Sequence, residues 1–219
     1  MTAGARAVRI AGSLWSVAPE RLAAEVARLV AAGVDALHWD VTDGDFARPG
    51  GHPLAVAARV SSGAGAGAGI RAEAHLMVRA PLRHVDAWAD LCDIVVVHAE
   101  SDSWRAAVDR IAARGATPAV ALSPGTDPGL LAAVTTGVLV MSVRPGHGGD
   151  GFDEDAYGTL AQVRGRALVG VDGGVDGRSA ARAVRGGATW VVSGTDLLAS
   201  DDPTAWITRL RTGTGQADG

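Results

Sequence analysis

Two residues raise the question of chemistry first. His38 and Asp40 lie in the run Asp35-Ala36-Leu37-His38-Trp39-Asp40-Val41, just ahead of Asp43-Gly44. The run reads as a short strand entering a turn, and alternate side chains of a strand share a face. An imidazole and a carboxylate on one face of a strand end can share a metal ion or a proton. Taken alone, the pair reads more simply as a strand cap, or as two groups bonded to each other. Comparable residues recur along the chain: His75 in Glu73-Ala74-His75-Leu76-Met77-Val78, His98 after Ile94-Val95-Val96-Val97, and Asp172 in Val171-Asp172-Gly173-Gly174.

The elements that must position them alternate short apolar runs with amphipathic stretches. Strands are expected at 8–12, 35–41, 70–76, 93–98, 117–122, 137–143, 167–171 and 189–192. Helices are expected at 19–31, 52–60, 81–91, 103–114, 153–163, 176–185 and 203–210, with a short one after Asp127. The first helix shows the pattern clearly, with Leu22, Val26, Leu29 and Val30 at helical spacing. The Gly/Ala/Ser stretch 61–69 reads as a mobile surface loop, and 1–7 and 213–219 as frayed tails. Strands that are continuously apolar are buried on both faces, which is the mark of a parallel sheet. Eight β-then-α units close most naturally into a barrel, so the expectation is one (β/α)8 domain over residues 1–219.

Composition narrows the function classes. The 219 residues are 47% apolar with a net charge of −4, which gives no footing for nucleic acid or an anionic membrane surface. No run is long and apolar enough to span a bilayer, and the N-terminus lacks a secretory h-region. The one cysteine, Cys92, cannot form an internal disulfide; it suits a reducing cytoplasm and reads as a small buried hydrophobe. The chain contains no lysine and no asparagine. Schiff-base and pyridoxal-phosphate chemistry therefore have no nucleophile.

A barrel of this kind places its active site at the C-terminal ends of the strands. Ser13, His38, Asp40, His75, His98, Asp172 and Thr195 all fall at such ends. Two imidazoles and two carboxylates suit Zn²⁺, and also Mn²⁺ or Fe²⁺. The glycine runs at 146–149, 173–174 and 194 lie where barrels commonly close backbone N–H groups on a phosphate.

Read together, these pieces resemble the ribulose-phosphate 3-epimerase family over residues 8–203. The matching motifs are Ser13-Leu14-Trp15-Ser16, His38-x-Asp40-Val41-x-Asp43-Gly44, His75-Leu76-Met77-Val78 and His98-Ala99-Glu100. They continue with Met141-Ser142-Val143-x-Pro145-Gly146-x-Gly148-Gly149, Val171-Asp172-Gly173-Gly174-Val175 and Ser193-Gly194. The resemblance implies a TIM barrel of the ribulose-phosphate-binding type, an isomerase of carbohydrate metabolism, and a homo-oligomer. It implies one divalent metal ion on His38, Asp40, His75 and Asp172, with Asp40 and Asp172 as an acid/base pair on opposite faces of the substrate's C3. It implies a phosphorylated ketose held by Ser13, His75, Met77, Met141, Gly146, His147, Gly148, Gly149, Asp172, Gly173, Gly174, Gly194 and Thr195. The two methionines would cover the reacting carbons with soft apolar surface. His98 is expected to bond a neighbour rather than the metal.

Departures from the family gather in the loops. Thr42 stands for a methionine and Ser123 for an asparagine. Arg144-Pro145-Gly146-His147-Gly148-Gly149-Asp150 replaces Asn-Pro-Gly-Phe-Gly-Gly-Gln, and Thr195 replaces a serine. Conserved chemistry with an altered substrate is the expectation. The ribulose/xylulose 5-phosphate pair comes first, and a hexulose or heptulose phosphate second. A related lyase or decarboxylase would need Asp-x-Lys-x-x-Asp on the third strand, which a chain without lysine cannot supply. A non-catalytic phosphosugar-binding barrel would leave the ligand set without a purpose.

Overall fold

The computed structural model describes residues 8–63, 70–132 and 136–213. Eight parallel strands close on themselves in chain order, so that β1 (Arg9–Ser13) pairs with both β2 (Ala36–Thr42) and β8 (Trp190–Ser193). Between them run β3 (Arg71–Met77), β4 (Ile94–His98), β5 (Thr117–Leu122), β6 (Gly137–Met141) and β7 (Val169–Asp172). The expected barrel is the observed one.

Alternation along each strand divides the molecule into two apolar layers. Leu37, Trp39, Leu76, Val95, Val97, Val120, Val138, Val140 and Val171 face outward against the helices. A smaller inner cluster of Ala11, Ala36, Val96, Ala119, Ala121, Leu139 and Trp190 fills the barrel. The alanines leave room for the one large ring inside, that of Trp190. Gly170, its register partner on β7, is needed there, because a Cβ at that position would lie 2.4 Å from the indole.

The helices are α1 (Leu22–Ala32), α2 (Leu54–Gly63), α3 (Val85–Ala89), α4 (Trp104–Ala113), α5 (Ala156–Val163), α6 (Gly177–Arg185), α7 (Thr195–Ala199) and α8 (Pro203–Gly213). Several differ from the sequence expectation, with local causes. The helix expected at 52–60 starts later, at Leu54, because Pro53 disfavours a helical backbone at His52, whose ring bonds the Leu14 carbonyl through Nε2 at 3.1 Å. The one expected at 81–91 splits at His84 into a 3-10 turn, Pro81–Arg83, and α3. The expected start at Asp153 is delayed because its carboxylate accepts the Asp155 N–H, holding an Asx turn ahead of α5. The short helix after Asp127 is a 3-10 turn capped by the Asp127 carboxylate. The α7 turn was not expected at all. The frayed tails at 1–7 and beyond Gly213 lie outside the described residues. So does the loop from 64 onward, since α2 runs to Gly63.

Candidate active site and metal centre

Strand register assembles the site. Pairing of β1 with β2 sets Ser13 beside His38, and β2 with β3 sets His38 beside Glu73 and Asp40 beside His75. Pairing of β6 with β7 sets Met141 beside Asp172. His38, His75 and Asp40 are buried, and Asp172 is partly open.

Four side chains converge. Asp40 Oδ1 lies 3.2 Å from His75 Nδ1 and 3.3 Å from His38 Nε2. Asp172 Oδ2 lies 3.4 Å from His75 Nδ1 and 3.7 Å from His38 Nε2. The four ligand atoms all lie within 4.8 Å of one another. A tetrahedron with metal–ligand bonds of about 2.1 Å has edges of about 3.4 Å, so these separations fit a first-row divalent ion. The orphaned His38 Nε2 adds a second argument. It is buried without a hydrogen-bond partner, while Nδ1 of the same ring sits 2.7 Å from Glu73 Oε1. The carboxylate accepts a hydrogen bond from Nδ1–H, leaving the Nε2 lone pair aimed into the cluster. The residues fit a metal ion.

Without that cation the cluster attracts protons. Burial disfavours a charged His38, yet the Asp40 and Glu73 carboxylates overcome it and raise its pKa well above the ordinary imidazole value. His75 is raised likewise, with Asp172 and Asp40 outweighing burial. Burial would raise Asp40, but the two imidazoles hold its carboxyl well below the usual carboxylate range.

Each aspartate gives one oxygen to the cluster and keeps the other on a local donor. Asp40 Oδ2 accepts from Ser13 Oγ at 2.9 Å, and Asp172 Oδ1 accepts from the Gly173 N–H at 2.7 Å. Both carboxylates line a cavity of about 350 Å³. Its wall also contains Ser13, Met77, Met141, Gly146, His147, Gly148, Gly149, Gly173, Gly174, Gly194 and Thr195. His75, expected to touch substrate as well, is wholly buried beneath this surface.

The loop departures divide into two groups. Arg144, His147 and Asp150 line the cavity. Thr42 does not; its hydroxyl accepts from the Gly50 N–H and donates to the Gly50 carbonyl, so this departure puts no polar group on the cavity wall. Ser123 faces His98 and Glu100 instead of the cavity. Trp15 lines the cavity, whereas Trp39 packs outward with its ring edge-on to His52. His98 bonds His75 rather than joining the ligands. The sequence reading missed Glu73. Its signal was a charged residue in an apolar strand, on the same face as His75. Cys92 is buried, and burial pushes its thiol pKa up, as expected of a small hydrophobe.

Comparison with known proteins follows the same lines. A family model described as "Ribulose-phosphate 3 epimerase family" matches residues 9–198. The cytoplasmic isoform of ribulose-phosphate 3-epimerase from Oryza sativa subsp. japonica is 31% identical over 221 residues, covering 95% of each chain. Ribulose-phosphate 3-epimerase from Mycobacterium tuberculosis is 33% identical, covering 92% of this chain and 93% of that one. The one from Bacillus subtilis is 27% identical, covering 93% and 98%. Among solved structures, phosphoribosyl anthranilate isomerase from Thermotoga maritima has a TM-score of 0.66 at 15% identity, covering 94% of this chain and 99% of that one. That likeness concerns the barrel alone.

Proposed function

The chain belongs to the ribulose-phosphate 3-epimerase family, and on that premise we propose that it inverts C3 of a phosphorylated ketose through Asp40 and Asp172. The ribulose 5-phosphate/xylulose 5-phosphate pair is the first substrate. One observation carries the reading: Asp40 on β2 and Asp172 on β7 approach the same two imidazoles from different strands, and both line the cavity.

A proton next to a ketone is only weakly acidic, and an ordinary carboxylate removes it slowly. A divalent ion on His38, Asp40, His75 and Asp172 would supply a Lewis acid that stabilises the enediolate charge left by its loss. Inversion also needs a base on one face of C3 and an acid on the other. Asp40 takes or returns the proton on its side of the mouth, and Asp172 on the other. The Ser13 hydroxyl and the Gly173 N–H fix the two carboxylates by their second oxygens. Met77 and Met141 cover the reacting carbons with apolar surface. The phosphate is taken by backbone N–H groups of 146–149, 173–174 and 194, with the Thr195 hydroxyl beside them. Zn²⁺, Mn²⁺ and Fe²⁺ all suit this ligand set.

A hexulose or heptulose phosphate is the second reading, favoured by the changed residues Arg144, His147 and Asp150 in the cavity wall. Solvent-deuterium incorporation at C3, measured across pentulose, hexulose and heptulose phosphates with each metal added, tests both. Incorporation fastest with the pentulose supports the first reading, and fastest with a longer sugar the second. Equal inactivity on all three classes overturns the enzyme reading.

A further inference from the structure

Glu73 is an anomaly for an apolar strand. It is fully buried inside the barrel, directly across from His38 and two residues before His75 on the same face of β3. Burying an ionised carboxylate is costly unless its oxygens are matched by donors and an opposite charge. Two strands supply hydrogen-bond partners for one oxygen here, and a third sets an opposite charge beside the other. Glu73 Oε1 lies 2.7 Å from His38 Nδ1 on β2 and accepts from Trp190 Nε1 on β8 at 3.1 Å. Glu73 Oε2 faces Arg9 NH2 on β1 at 3.2 Å, an ion pair without a hydrogen bond.

These contacts form a line from the lower barrel to the ligand cluster. The Arg9 guanidinium neutralises Glu73, and Glu73 grips the far nitrogen of His38. A ring held in this way can rotate or exchange tautomers only by breaking a buried, charge-assisted bond. Trp190 closes the other side, and Gly170 leaves the space its indole occupies. If Glu73 served only to neutralise Arg9, its His38 contact would be incidental. Yet the shortest of its contacts is the one to His38, made in hydrogen-bond range, whereas Glu73 Oε2 and Arg9 NH2 make no hydrogen bond; the opposite nitrogen of the His38 ring is itself a buried atom without a hydrogen-bond partner.

We propose that Glu73 is a positioning residue of the metal centre: it fixes the Nδ1–H tautomer and the orientation of His38, and strengthens Nε2 as a ligand. This rests on the metal reading given above and goes beyond it in assigning a residue outside the ligand set. Carboxylates placed behind ligating histidines typically hold a factor of about 10 to 100 in metal affinity.

The test compares the parent with Glu73→Gln and Glu73→Ala, each stripped of metal by chelation. Zn²⁺ affinity is measured by competition with a chromophoric chelator, and the thermal midpoint of the metal-free protein is measured alongside. Zn²⁺ binding should weaken about 10- to 100-fold in Glu73→Ala. Glu73→Gln keeps an oxygen for the His38 N–H but loses the charge, so it should fall between parent and alanine. That graded order is what a purely structural role would not produce. Folded variants that bind Zn²⁺ within about twofold of the parent overturn the inference, even if their midpoints drop. Should Glu73→Ala not fold, the near-isosteric Glu73→Gln carries the test. A parent that binds no Zn²⁺ overturns the metal reading itself; a binding parent with unaltered variants overturns only the role of Glu73.

Discussion

Nε2 of His75 and Nε2 of His98 face each other at 2.9 Å, in rings stacked 20° from parallel. One hydrogen must sit between them. With His75 Nδ1 turned to Asp40 and Asp172, its Nε2 carries the proton and His98 Nε2 accepts it. His98 Nδ1 then donates to Glu100 Oε2 at 3.1 Å. Glu100 is fixed in turn by the Ser123 N–H and the Thr126 hydroxyl. Burial would raise the Glu100 carboxyl, but hydrogen bonds from His98 and Thr126 lead the groups that lower it to about 2. The second histidine of the candidate metal cluster thus also ends on a carboxylate, at one remove.

This arrangement requires His98 to stay neutral, which gives a pH prediction. Burial pushes its pKa down to about 4, aided by His75 and opposed by Glu100. The unfolded chain protonates His98 near the ordinary value of about 6.5, so between these limits the unfolded state holds the extra proton and stability falls with falling pH. In metal-free protein, the stability advantage of the parent over His98→Gln should be full above about pH 6.5 and shrink progressively towards pH 4. Denaturant unfolding at several pH values measures it. A pH-independent gap would remove the neutral-histidine account.

The two histidines of the candidate metal cluster are shifted the other way. In the metal-free cluster His38 and His75 hold their protons above the ordinary imidazole pKa, because Asp40, Glu73 and Asp172 outweigh burial. A metal ion must displace those protons, so affinity should rise with pH until both histidines are neutral. Each proton displaced adds about one decade of affinity per pH unit below that point. Dialysis against a chelator should abolish turnover, and Zn²⁺, Mn²⁺ or Fe²⁺ should restore it. Titration of Zn²⁺ affinity against pH checks the slope; a flat profile would contradict the proton-filled cluster.

How much of this was legible in the chain depends on the range of the cause. The strand-end residues could be read because a two-residue alternation places His38 with Asp40 and the βα repeat places His75 and Asp172 at the same rim. All four meet within 4.8 Å. Glu73 escaped notice because its partners, Arg9, His38 and Trp190, lie far off in sequence and meet only once the barrel closes. Thr42, noted as a departure from the family, lies off the cavity for a local reason: the Gly50 backbone captures its hydroxyl. Helix starts at Leu54 and Ala156 were displaced by local causes that no periodicity records, Pro53 after His52 and the Asp153 turn.

The acid/base pair proposed above makes the sharpest functional prediction. Asp40→Asn and Asp172→Asn should each lower turnover by about two to four decades, the scale of acid–base catalysis. Because both residues also face the metal cluster, turnover is to be measured at saturating metal, with bound metal quantified in the same samples. A loss that persists at full metal occupancy assigns the proton-transfer role. Near-normal turnover in either variant would falsify the two-aspartate inversion.

Gly174 ties the fold to the cavity. Its φ of +56° is costly for any residue with a Cβ, and such a Cβ would lie 2.4 Å from the Asp150 carbonyl and 2.6 Å from the Phe152 nitrogen. Both neighbours are backbone, so neither can swing aside as a side chain would. The loop after β7 and the segment 150–152 after β6 are therefore packed main chain on main chain at the cavity wall. Gly174→Ala should cost about 1–3 kcal/mol of stability through the strained conformation. It should also push these loops apart where the phosphate is proposed to sit, raising KM far more than it lowers kcat. Steady-state kinetics beside a denaturant melt checks both effects. An alanine variant with unaltered KM and full stability would show that these two backbones are not held in contact.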